Sequence, residues 1–192
     1  MIIKLLMIIV FLGALSIPAS SFFNGDDIVD AKIEMIYSSL QGQWEGEFFA
    51  YKEGKTIVAQ MPYQVNYYVA RNDKILISES GPISEPMDNE SFTHDVSVYD
   101  PTENKLHISF NNTKYSKPIV HIYELSGIDK DDLENDWSFT REQTGLVSGS
   151  IIDQRETVSY KDGSYTFSSK SRSGNSSEPY VLTYIIKAEK IE

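Results

Sequence analysis

Few residues in this chain have the types and spacing that chemistry needs. There are three histidines, His94, His107 and His121, and no cysteine. No two histidines have close metal-ligand spacing, and no thiol is present to complete a common zinc set. His94 alternates with Phe92, Val96 and Val98, and His121 with Ile119, Tyr123 and Leu125. Each reads as a hydrogen-bonded wall residue, with axial haem ligation as the sharper alternative. His107 is out of phase with Leu106, Ile108 and Phe110 and is expected in solvent. His94 and Asp95 are strand neighbours, so they point to opposite faces and form no dyad. Gly145-Leu146-Val147-Ser148-Gly149 lacks the Gly-x-Ser-x-Gly order of a nucleophile elbow. The acidic run at 129–136 has Leu133 at the fifth loop position and no glycine at the sixth, which argues against a calcium loop. The chain therefore reads as a non-enzyme with no cofactor and no metal.

What remains is a binding chemistry. Arg141 alternates with Trp137 and Phe139, so it is a candidate inward-facing arginine. It either pairs an anionic head group or stacks on an aromatic ring as a structural plug, the latter being preferred. Arg155, alternating with Asp153 and Thr157, is its rival. The candidate inner faces also carry Tyr63, Tyr67, Tyr123, Tyr165, Tyr180 and Tyr184. Tyrosine offers an apolar ring and a hydroxyl, which suits an amphipathic guest. The candidate ligand contacts are Tyr67, Tyr123 and Tyr184, the two histidines His94 and His121, and Trp137 and Phe139 beside Arg141.

The elements that must position these residues follow from hydrophobic periodicity. Residues 26–41 place Val29, Ile33, Ile36 and Leu40 at helical spacing, with Asp26 or Asp27 able to cap the start and Gly42 to end it. From Trp44 the period drops to two: Trp44, Gly46, Phe48 and Ala50 share one face. Further strands are predicted at 56–70, 75–80, 92–99, 105–110, 118–125, 137–144, 151–160, 165–169 and 180–188, with a bulge or bend at Pro62. Lys161-Asp162-Gly163 is the strongest hairpin signal. Short strands joined mainly by short turns imply an all-β, antiparallel up-and-down barrel of about 8–10 strands with a short N-terminal helix, because closure leaves no open edge.

The first residues carry an address. Lys4, the apolar run 5–17 and Pro18-Ala19-Ser20-Ser21 form a secretory signal pattern, too short to span a membrane, with cleavage expected after Ser21. Residues 22–192 would then form one barrel domain, secreted or periplasmic, with no membrane span after signal cleavage. The formal charge of −11 disfavours nucleic acid as a partner.

Gly42-Gln43-Trp44 after a short helix resembles the first motif of the lipocalins and other calycins. The remainder resembles the lipocalin-like domains of unknown function in exported bacterial proteins. The features are Phe92 through Asp100-Pro101, then Tyr160-Lys161-Asp162-Gly163-Ser164-Tyr165, then the final strand from Tyr180 to Lys187, so that the likeness covers about 37–188. It implies an antiparallel barrel with a central cavity and no settled activity. Gly42-Gln43-Trp44-Glu45-Gly46 is also similar to the opening of nitrobindin-like haem barrels. Those have a glycine where this chain has Phe48, and a haem-ligating histidine near the C-terminus, where the last strand here has none. The leading expectation is a barrel that binds a small apolar or amphipathic molecule. The alternatives are a cavity-poor barrel acting as an envelope or surface interaction module, and a haem or enzymatic barrel.

Overall fold

A computed structural model describes residues 25–71, 73–83, 92–112, 119–128, 135–147 and 149–191. Helix α1 (Gly25–Leu40) leads into β1 (Gly42–Lys52). There follow β2 (Thr56–Ala70), β3 (Ile75–Pro82), β4 (Thr93–Asp100), β5 (Lys105–Asn112) and β6 (Ile119–Ser126). The chain ends with β7 (Asp136–Val147), β8 (Ser150–Lys161), β9 (Ser164–Ser173) and β10 (Val181–Ile191). Each strand pairs antiparallel with the next, and β10 pairs with β1, so the ten strands close into an up-and-down barrel. The expected leader at 1–21 and most of the acidic run at 129–136 lie outside the described residues, as do the side chains of Asp26 and Asp27.

Local chemistry accounts for the turns and the entry. Asp162 and Gly163 both take positive φ, 48° and 85°, the conformation a two-residue hairpin requires. Gly46 stands opposite Ala188 on β10. A Cβ there would lie 1.8 Å from the Lys187 carbonyl oxygen, so only glycine lets these strands close on each other. Pro62 pairs in register with Glu47, and the irregularity in this ladder falls at Ala50/Tyr51 instead. No register irregularity falls at Pro62, whose carbonyl accepts a hydrogen bond from Ile83 N at 3.0 Å just past the end of the β2–β3 ladder.

One end of the barrel is stoppered by the helix. Ile33, Ile36, Tyr37 and Leu40 are buried in the same core as Trp44 and Trp137. Trp44 Nε1 donates to the Leu40 carbonyl at 2.8 Å, and Tyr160 meets its ring edge-on at 6.0 Å. Trp137 Nε1 donates to Ser39 Oγ at 3.0 Å. Lys74 bridges Asp30 and Glu34 of the helix at 2.8 and 3.1 Å, and Lys32 donates to the Ile128 carbonyl. The helical stripe of the sequence is thus the floor of the barrel.

The inner face holds the expected phase on most strands and reverses on β4. Trp44, Gly46 and Phe48 of β1 point inward with Ile186 and Ala188 of β10. On β4 the apolar residues face out, Val96 and Val98 each being 39% exposed, while Thr93, Asp95 and Ser97 line the interior.

Candidate ligand cavity

Alternate residues of the strands, capped below by Tyr37 and Leu40 of the helix, enclose a cavity of about 330 Å³. Its walls are mainly aromatic and aliphatic, including Phe48, Tyr67, Ile108, Phe139, Phe167 and Tyr184. Tyr184 stacks between Phe48 and Phe167, with ring centroids 5.5 and 5.6 Å away. Tyr67 and Tyr165 share a hydroxyl–hydroxyl hydrogen bond of 2.9 Å. Tyr63 donates to Ser80 Oγ at 3.1 Å. Burial is the largest influence on the Tyr67 phenol and pushes its pKa up to about 12, against the Tyr165 hydrogen bond and Arg141. The wall tyrosines are neutral donors and acceptors.

Arg141 points inward and is already engaged. It donates through Nε to Glu156 Oε2 at 2.6 Å, with side chains only 14% and 3% exposed. Its guanidinium also sits 4.7 Å from the Tyr123 ring centroid and 5.3 Å from that of Phe167. Arg141 and Glu156 are directly opposed in the β7–β8 ladder, so the hairpin itself makes the pair. Burial is the largest influence and works against the arginine charge, but Glu156, together with Tyr123 and Tyr165, more than restores it. The rival Arg155 faces out, where it donates to Glu142 at 2.7 Å. Tyr180 is held between the guanidiniums of Arg155 and Arg172, at 4.3 and 4.4 Å, and lines neither described cavity. The inward placement expected for Tyr180 is corrected on that ground.

Asp95 is the charged group that the sequence reading left off the wall. It faces Ser78 in the β3–β4 ladder and takes from its hydroxyl one long hydrogen bond, 3.5 Å to Oδ2. Its Oδ1 is buried and has no hydrogen-bond partner among the described residues. Burial pushes the Asp95 carboxyl up to about 6; Arg141 and the Ser78 hydrogen bond pull the other way, Glu156 adds to the rise, and His94 opposes it.

A second cavity of about 270 Å³ shares Thr93, Phe110, Glu156 and Tyr184 with the first and adds Ile119, His121, Tyr123 and Gln154. His121 Nδ1 lies 2.5 Å from Gln143 Oε1. Because that oxygen can only accept, Nδ1 carries the proton. Gln143 Nε2 donates to Gln154 Oε1 at 2.9 Å and to the Tyr123 hydroxyl at 3.2 Å. Gln154 Nε2 in turn donates to Glu156 Oε1 at 2.6 Å. A hydrogen-bonded chain therefore runs from His121 through two glutamines to the Glu156–Arg141 pair.

Of the candidate contacts, Tyr67, Phe139, Arg141 and Tyr184 line the larger cavity, and His121, Tyr123 and Tyr184 the smaller. His94 is a correction. It stands on the outer wall, 48% exposed, 3.3 Å from Glu79, and that position also removes it as an axial ligand within the barrel. Trp137 is a second correction: it lines neither cavity and instead packs beneath them, stacked on Phe139 and bonded to the helix. His107 keeps its outward phase but is half-buried rather than solvated, set between Val98 and Ile122 in the ladders, with Nε2 buried. Sequence reasoning missed Asp95, Glu156, Gln143 and Gln154. Writing the β7–β8 hairpin out around its turn would have revealed the last three, since Arg141 then faces Glu156 and Gln143 faces Gln154. Among the described residues no group of three or more histidines and carboxylates is placed to hold a metal ion.

Fold and cavity define a class: a closed, ten-strand antiparallel barrel, helix-stoppered at one end, with an aromatic interior. A lipocalin-like barrel fits this description. No protein-family profile matches the chain, and no curated protein matches it. Among solved structures it is similar to the crystal structure of Rv2717c from M. tuberculosis, with a TM-score of 0.50 and 11% identity, over 81% of this chain and 94% of that one. It also matches a protein of unknown function from the DUF3598 family of Nostoc punctiforme, at 9% identity over 83% and 99% of the two chains, with a TM-score of 0.23. At such identities the likeness to Rv2717c concerns the fold alone, and the second match is too distant in shape to carry an argument.

Proposed function

We propose that this chain is an exported, lipocalin-like barrel that carries a small apolar or amphipathic molecule in its interior. The observation that supports this most is the cavity of about 330 Å³, walled by stacked aromatic rings and aliphatic side chains around a few polar groups. Its volume falls in the ordinary range of small-molecule sites, roughly 300–1,000 Å³. A barrel serving only as an interaction module has no need of that space. Export rests on the signal pattern of residues 1–21. Arg141 serves as the structural plug: its charge is spent on Glu156 and its planar face on Tyr123 and Phe167.

Native mass spectrometry of residues 22–192 tests the reading directly, by looking for a co-purified molecule. Titration of the delipidated protein with a fluorescent apolar probe is expected to saturate at about one probe per chain. Absence of both a guest and saturable binding would return the protein to the interaction-module class. A Soret band on added haem would move it to the haem barrels, with His121 as the histidine to test.

A further inference from the structure

We propose that the cavity selects amphiphiles whose polar end is a hydrogen-bond-donating cation, an alkylammonium group seated against Asp95 and the neighbouring aromatic rings, and that it discriminates against carboxylates. The inference rests on the carriage reading above and names the class of guest.

Among the described residues, three charged side chains line the larger cavity: Asp95, Arg141 and Glu156. The last two cancel each other at 2.6 Å, which leaves the wall with one net negative charge, on Asp95. An ionised carboxylate has about four acceptor sites. Asp95 uses one, for the long bond from Ser78, and its Oδ1 has no partner among the described residues. A buried acceptor left in that condition is costly, and a donor arriving on a guest relieves the cost.

The surroundings favour a cation over a neutral donor. Tyr63, Tyr67 and Phe110 line the cavity with Asp95, and aromatic ring faces attract ammonium groups. The hydroxyls of Ser78, Ser80 and Ser97 also line it and can accept the remaining ammonium protons. A carboxylate guest would meet the Asp95 charge with no free cation among the described wall residues to offset it. The formal charge of −11 on the whole chain adds a long-range field of the same preference.

The test uses decylamine, decanol and decanoate, three guests of one chain length, each displacing a fluorescent probe from the delipidated protein at pH 8 and below micelle-forming concentrations. The amine is expected to bind at least about ten-fold tighter than decanoate, with decanol between them. Asp95→Asn should remove the advantage of the amine over decanol. Equal affinities, or tighter decanoate, would overturn the inference and leave carriage standing. An amine preference that survives in Asp95→Asn would overturn the role of Asp95. Failure of all three to bind would remove carriage and this inference together.

Discussion

Replacing Asp95 by asparagine should make the protein more stable, and only above a definite pH. Burial raises the Asp95 carboxyl from 3.8 to about 6 in the folded state. That is a rise of about two pH units at about 1.4 kcal/mol each, so an ionised Asp95 costs the fold up to about 3 kcal/mol. The sign follows from proton linkage. Between about pH 4 and 6 the folded protein holds a proton that the unfolded chain has released, so stability falls as pH rises across that window. The cost is absent below about pH 4 and fully present above about 6. The groups that set it are Ser78 on β3, Arg141 and Glu156 on β7 and β8, and His94 on the outer face of β4. Asparagine keeps the shape and removes the charge. Denaturant midpoints at pH 8 should therefore favour Asp95→Asn by up to about 3 kcal/mol, or about 6–12 °C in melting temperature for a chain of this size. At pH 4 the two proteins should unfold alike. An equal gain at both values would mean that the effect is packing rather than charge. A loss of stability at pH 8 would mean that the carboxylate is paired in solution, and the reasoning from its missing partner would be wrong. A carboxylate kept at such a cost is the pattern of a site whose residues serve something other than stability.

The Arg141–Glu156 pair should behave in the opposite sense. Arg141→Gln leaves Glu156 buried without its countercharge and is expected to cost about 3–5 kcal/mol, while Arg141→Met combined with Glu156→Leu should recover much of that in the same denaturation assay. The exposed Arg155–Glu142 pair on the other face of the hairpin provides the contrast, since Arg155→Gln should cost less than about 1 kcal/mol. Equal costs for Arg141→Gln and Arg155→Gln would contradict the burial of the inner pair. Trp44→Ala, which empties a fully buried site beside the helix and breaks the bond to Leu40, should cost about 3–5 kcal/mol. An unchanged midpoint would show that Trp44 does not hold the barrel floor.

The sequence by itself determined the elements. Val29, Ile33, Ile36 and Leu40 could form one apolar stripe only on a helix, and the alternation after Trp44 could be satisfied only by strands. The Asp162-Gly163 turn carried its own backbone requirement, and ten short strands joined in hairpins left closure as the way to remove both edges. The sharing of one face by Trp137, Phe139 and Arg141 was legible from their alternation, which made that face a candidate for the interior. What the sequence did not determine was which face of β4 looks inward. His94, Val96 and Val98 form the more apolar face, yet they point to solvent. Alternation says that successive side chains part company, and it is silent on which set meets the cavity. That was decided by pairing: Leu76, buried on β3, stands opposite Ser97, and Ser78 stands opposite Asp95, so the inward phase of β3 carried the polar face of β4 with it. The same holds for Trp137, whose strand phase is inward but whose height in the barrel puts it under the helix instead of in the cavity. Register and height along a closed barrel are properties of all the strands together, and they placed Asp95 inside and His94 outside.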